Sequence, residues 1–225
     1  MKRVVMPELL DADAGSSREV SASLADLRMI NRWFGGVHVM EELIRTVAAR
    51  QQINSISWLD VAGASGDIAA LASESLSKNS LKVRPVLLDR ATTHLNCNYP
   101  CVCGDALALP FGDNAFDVVG CSLFVHHLEP QQIVQFMSEA LRVARYAVLI
   151  NDLVRHRLHL ALAYAGYALY RSRLTRHDAI ASVRRAYTID EITGILRQTS
   201  AFKVEAKQFF MFRMGVIAWK RLNTI

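Results

Sequence analysis

The stretch that decides the fold is Leu59–Ala72, "LDVAGASGDIAALA". It opens as a buried strand, passes through small residues and closes with helical spacing. One acid, Asp60, stands at the strand end and another, Asp67, at the helix start. Only Gly63 and Gly66 fill a turn that in nucleotide-binding proteins often carries three glycines. The stretch is therefore either a cofactor loop or a tight strand-to-helix connection.

Outward from it the pattern alternates. "SISWLDV" reads as a strand, "GDIAALASESL" as a helix, and "KVRPVLLD" as a strand with an internal proline. "PCVCGD", "AFDVVGCSLF" and "YAVLIND" follow as strands. Between the last two lies the helix "PQQIVQFMSEALRVA", with Pro130 in its first turn and Ile133, Phe136, Met137, Ala140 and Leu141 on one face. "TIDEITGILRQ" opens with a capping box, Thr188 and Glu191. "FKVEAKQFFMFRMGVIAWK" reads as two strands and a tight turn. Strands alternating with helices predict an α/β fold, a mostly parallel sheet covered on both faces, with the final pair as an antiparallel hairpin at one edge. Upstream, helical spacing starts near Ser21 (Leu24, Leu27, Ile30), breaks at Gly35-Gly36, and resumes with Met40, Leu43, Ile44, Val47 and Ala48. Residues 1–53 are read as an N-terminal segment whose helices cover the site, and 54–225 as the main domain, with a helical cap inserted at about 153–187.

Composition limits the function classes. A chain of 225 residues, 52% hydrophobic and 21% charged, is globular and suits one domain with a cap. Cys97, Cys101, Cys103 and Cys121 form no paired CxxC pattern, so no metal site is expected and the thiols are read as free in a cytoplasmic protein. Pro7 and Glu8 cut the N-terminal apolar run short, which argues against a signal peptide. The most apolar segment, Leu158–Tyr170, is shorter than the ~20 residues a membrane span requires. The net charge is +5, yet residues 153–187 carry seven arginines and one acid, leaving about −1 for the rest. Charge confined to one segment argues against a nucleic-acid partner.

In such sheets ligands bind outside the carboxyl ends of the strands. Three successive strands deliver acids there: Asp60, Asp89 and Asp105. Asp89 lies 23 residues after Gly66, a distance that suits a ribose-binding acid. A GxGxxG fingerprint and a GKS/GKT phosphate loop are both absent. A ligand with a ribose and a positive charge but no phosphates fits these acids best.

The chain here resembles the class I S-adenosylmethionine-dependent methyltransferases, in their small-molecule (type 11-like) branch of bacterial specialised or quinone metabolism. The resemblance rests on the acid–turn of Leu59–Ala72, on "GDALALPFGDNAFDVVGCSLFVHHL", on "AYTIDEITGIL" and on the C-terminal hairpin. It implies a Rossmann-like seven-stranded sheet and S-adenosyl-L-methionine as cofactor. It places Ala62, Gly63 and Gly66 under the methionine and ribose, and Asp89 on the ribose hydroxyls with Arg90 beside it. It puts Asp105 and Ala106 at the adenine, Cys121 and Ser122 on the wall near the sulfonium, and Asp60 near the amino group. The usual three glycines correspond here to Ala62, Ala64 and Gly66. A positive φ at Ala64 would cost about 1 kcal/mol and crowd the cofactor.

The acceptor side is expected from the remaining segments. His126 and His127 follow the fourth strand and are candidates for a general base toward a hydroxyl acceptor; otherwise one caps carbonyls and the other faces solvent. Asn151 and Asp152 end the fifth strand. In the cap, Tyr164 belongs to an apolar wall flanked by Arg155, Arg157, Arg173 and His177, a pattern that suits a small, hydrophobic acceptor with an acidic or phenolic end. The same pattern suits peripheral contact with an anionic membrane. Trp33 and His38 are expected to close the other side. The expectation is O-methylation of a phenol, carboxylate or polyketide-like compound by a monomer or homodimer. Alternatives are C-methylation of a quinone-like ring, an RNA methyltransferase, or a relative without catalysis.

Overall fold

The computed structural model describes residues 1–10, 15–91 and 99–221; Cys97 lies outside them. Two helices, α1 (Ser17–Trp33) and α2 (Gly36–Gln51), precede the alternating part. That part runs β1 (Ser55–Val61), α3 (Asp67–Lys78), β2 (Lys82–Asp89), β3 (Cys101–Cys103) and β4 (Phe116–Ser122). After a 3-10 turn at Val125–His127 come α4 (Pro130–Val143) and β5 (Ala144–Leu153). The cap is α5 (Arg157–Ala165) and α6 (Arg173–Arg185). The chain then completes α7 (Ile189–Leu196), β6 (Lys203–Phe209) and β7 (Arg213–Trp219).

The strands form one sheet of order β3-β2-β1-β4-β5-β7-β6. All neighbours are parallel except β7, which runs antiparallel to both β5 and β6. Strand alternation divides the core between the two faces. Leu59, Val61 and Val119 pack toward Phe136, Met137 and Leu141 of α4. Ile56, Trp58 and Val118 pack toward Leu43 and Val47 of α2 and Leu76 of α3. The apolar faces read for α2 and α4 are the buried ones. α2 is thus a layer of the core, and of the two N-terminal helices it is α1 that borders the site.

Two local features follow from sequence chemistry. Thr188 and Glu191 form the expected capping box of α7, each side chain accepting from the other residue's backbone N–H. Pro85 lies inside β2 without disrupting it. The Leu87 N–H donates to Pro100 on the β3 side, at 2.9 Å. Two residues earlier, Pro85 faces the same side before the pairing with β3 begins at Leu87. The missing N–H therefore breaks no ladder bond.

Candidate active site

The Leu59–Ala72 stretch folds as a strand, a strained turn and a helix start. Ala62, Ala64 and Gly66 all have positive φ, at 56°, 45° and 72°. For the two alanines this costs roughly 1 kcal/mol each. The turn is closed by the Gly66 N–H donating to Gly63 O (2.8 Å), and it is tied to β2 by the Gly63 N–H donating to Leu88 O (3.3 Å). Asp89 completes the fastening: its Oδ2 accepts from the Ala64 N–H at 3.0 Å and its Oδ1 from the Ala91 N–H at 2.9 Å. Asp60 is only 2% exposed, and its Oδ1 has no hydrogen-bond partner. Burial, with the Asp89 charge behind it, pushes the Asp60 carboxyl up to about 8. Asp105 is exposed and accepts from the Leu107 N–H.

These groups border a cavity of about 620 Å³. It extends from Asp60, Ala62, Gly63, Asp89, Arg90, Asp105, Ala106 and Ser122 toward α1, α5 and α6. Its apolar walls include Leu24, Leu27, Ile30, Phe34, Phe124, Leu162 and Met211. Ala62, Ala64, Leu123 and Met211, half of the non-glycine residues with positive φ among those described, line it. Such strain gathers at functional sites.

On the α6 side stands a carboxylate–histidine cluster. The His126 Nδ1 lies 2.6 Å from Asp152 Oδ1, and the His126 backbone N–H donates to Asp152 Oδ2 at 3.1 Å. His126 Nε2 is 3.3 Å from Glu8 Oε1, and His127 Nε2 is 3.9 Å from Glu8 Oε2. The Ser182 hydroxyl donates to Glu8 Oε1 at 2.8 Å. Burial works against a charge on His126, but Asp152 and Glu8 outweigh it and raise the imidazole to about 10. Burial likewise opposes ionisation of Asp152 and Glu8, and His126 overrides it, so both carboxyls fall below their ordinary values. His126 is thus a buried imidazolium between two carboxylates at neutral pH. Both carboxylates favour the charged ring, which speaks against the expected role of His126 as a base. Glu8, His126 and His127 present ligand atoms within 4.8 Å of one another, a spacing that suits a metal ion. With His126 protonated, the imidazolium itself supplies the positive charge there.

The structure corrects several expected positions. Cys121 is fully buried in the core and does not line the cavity; burial raises its thiol further. Gly66 shapes the turn as the residue before α3 and lies behind the lining. Trp33 is 72% exposed, and His38 sits edge-on against Phe209; neither borders the cavity. Asn151 is buried, its amide donating to Gly36 O and Ser122 Oγ. Arg155 is a structural clamp, donating to Met1 O and Ala186 O and pairing with Glu191. Arg173 pairs with Glu19, His177 with Asp178, and Tyr164 accepts from Arg184. These three and Arg157 all lie outside the lining. Arg155 and Arg173, expected around the acceptor, are thus turned to other work, and Arg157 is exposed.

In their place the cavity presents Glu8, His159, Asp178, Arg185 and Arg213. Glu8 sits in a segment without periodicity, so nothing local marked it. Arg213 did leave a signal: it opens an otherwise apolar strand, "RMGVIAW", that is buried throughout. It is 1% exposed and donates to Asn31 Oδ1 at 2.9 Å and to Asn151 Oδ1 at 3.5 Å. Burial lowers its guanidinium to about 10.

Residues 59–147 match a family model described as a methyltransferase domain. No curated protein matches the chain. Among solved structures, the plantazolicin methyltransferase BpumL in complex with SAH aligns with TM-score 0.64 at 12% identity, over 92% of each chain. A SAM-dependent methyltransferase from Aquifex aeolicus aligns with TM-score 0.50 at 17% identity, over 73% of this chain and 81% of that one. One from Methanosarcina mazei gives 0.52 at 16% identity, over 76% and 94%. The fold is that of these enzymes. With the domain match, the enzyme class is an S-adenosylmethionine-dependent methyltransferase. The site fits that cofactor: the buried, unpartnered Asp60 oxygen calls for a donor such as an ammonium group, and Asp89 retains acceptor capacity beside the turn.

Proposed function

We propose that the protein transfers a methyl group from S-adenosylmethionine to an oxygen of a small, largely apolar acceptor. The observation that carries this reading is the single cavity joining the acid-bearing turn to walls of Leu24, Leu27, Ile30, Phe34 and Leu162. A cleft of this size with apolar walls and few polar groups suits one small ligand beside a cofactor.

When bound, the cofactor supplies a methyl group on a sulfonium. In this reading Asp89 accepts from the ribose hydroxyls and Asp60 from the amino group. Asp105 and Ala106 would hold the adenine, Arg90 would stand beside Asp89, Ala62 and Gly63 would support the methionine and ribose, and Ser122 would line the wall near the sulfonium. The apolar walls exclude water and hold the acceptor in line. His127, on the cavity wall beside Glu8, takes the proton of a hydroxyl acceptor, and Glu8 steadies the charge that develops on its ring. A carboxylate acceptor needs no base. On α5, Leu158, Tyr164 and Arg157 are exposed, and these apolar and basic groups suit brief contact with an anionic membrane, from which an apolar acceptor would enter.

The deciding experiment is calorimetric titration with S-adenosylhomocysteine, for which micromolar binding is expected. Absence of binding would sink the reading and point to the Ala64 methyl as the obstruction. His127→Ala is expected to lower turnover while sparing cofactor affinity. Turnover unchanged between pH 6 and 9 would take the base role away from it.

A further inference from the structure

The buried arginine at the start of β7 is not explained by the cofactor. Arg213 is almost wholly buried, lines the cavity, and makes its two hydrogen bonds to amide oxygens, those of Asn31 and Asn151. Among the described residues no carboxylate pairs with it. The carboxylate charge that acts on it is that of Asp152. That group is already occupied by the His126 ring and by the backbone N–H groups of His126 and Leu153. A guanidinium carries five N–H donors in a fork that matches a carboxylate. Burying one without an anionic partner is costly.

Its place in the sheet says which ligand it serves. Asp89 and Asp105 lie on the β2–β3 side. Arg213 pairs in register with Leu153 at the carboxyl end of β5, and β7 stands beyond β4 and β5 from β1. Three strand spacings separate it from the β1 turn, about 14 Å. The cavity that it lines also has apolar wall residues, among them Ile30, Phe34, Leu162 and Met211. His159 also faces this end; burial and the Arg213 charge help to keep it neutral.

We infer that Arg213 is the carboxylate-binding residue of the acceptor subsite, so that the acceptor is an apolar acid seated with its carboxylate on the guanidinium fork. The inference rests on the methyltransferase reading and narrows its substrate class. It moves the acid-recognising role from the cap arginines to a strand residue.

The test uses octanoate and its neutral counterpart octanamide, titrated into the protein with and without saturating S-adenosylhomocysteine. Octanoate is expected to bind at least about tenfold more tightly than octanamide. Arg213→Met should abolish that preference while keeping or raising the melting temperature, since it removes a lone buried charge. Arg213→Lys, which keeps the charge and loses the fork, should retain part of it. Equal binding of the two probes to the wild type would overturn the inference without any variant, as would a preference that survives Arg213→Met. Loss of S-adenosylhomocysteine affinity in Arg213→Met, with 5′-methylthioadenosine binding intact, would assign Arg213 to the cofactor's own carboxylate and also overturn it. If S-adenosylhomocysteine fails to bind at all, the cofactor reading falls, and the two probes still decide Arg213 on the protein alone.

Discussion

The two ends of the cavity hold their charges in opposite ways. At the β1–β2 end the acids answer to backbone: Asp89 to the N–H groups of Ala64 and Ala91, Asp105 to Leu107, while the buried Asp60 oxygen answers to nothing. At the α6 end the charges answer to each other, Asp152 to His126 and His126 to Glu8, across 26 and 118 residues of chain. The first end is left with acceptor capacity and a raised carboxyl. The second is closed on itself. One end is prepared for a ligand, and the other holds the N-terminal segment, the cap and β5 together beside it.

The sharpest way to break this comparison is Asp152→Ala. It leaves the buried His126 charge to Glu8 alone, strips the acceptor from the His126 and Leu153 N–H groups, and is expected to cost about 3 kcal/mol in urea unfolding while leaving the cofactor affinity of the folded fraction nearly unchanged. A large loss of S-adenosylhomocysteine affinity at full stability would merge the two ends into one site. Asp89→Ala should do the reverse, weakening S-adenosylhomocysteine binding about 100-fold or more in calorimetry. Unchanged affinity would remove Asp89 from the cofactor end.

Proton linkage separates the ends by pH. His126 is raised to about 10 in the fold from 6.5. Its contribution is therefore complete below pH 6.5 and is lost as pH rises through about 10. Melting temperature should fall between pH 7 and 10, and His126→Gln should flatten that slope. Asp60, raised to about 8, is mostly protonated in the ligand-free protein at pH 7. An ammonium seated against it would expel up to about one proton. Calorimetry of S-adenosylhomocysteine in phosphate and in Tris should then give different apparent enthalpies, and equal enthalpies would separate Asp60 from the ligand. The smallest effect belongs to Ala64→Gly. Relieving the φ of 45° is expected to stabilise the turn by at most about 1 kcal/mol and to leave or improve cofactor affinity.

The strands and the helices against them were legible in the sequence because their periodicity is a local property that the core then used. So were the acids at the strand ends, since topology alone brings them to one edge. The α1 pattern shows where local reading stops. Leu24, Leu27 and Ile30 mark a helix correctly, but they border the cavity and stay half-buried, whereas Ser23 and Asp26 are the buried residues. Asp26 is buried because it accepts from the backbone N–H groups of Arg171 and Ser172, more than a hundred residues away. The cap arginines misled for the same reason. Arg155 finds backbone carbonyls at Met1 and Ala186, partners that no spacing rule brings together.

Pro85 has a consequence for the life of the chain in a crowded solution. Among the described residues, the side of β2 away from β1 has no strand partner over its first half, because the β3 pairing starts at Leu87. An unpaired strand side with a full row of donors is a template on which another chain can add. With one donor missing from the middle of that row, a second copy docking there would forfeit a ladder bond. The proline thus works as a guard against edge-to-edge association while leaving the ladder to β1 whole.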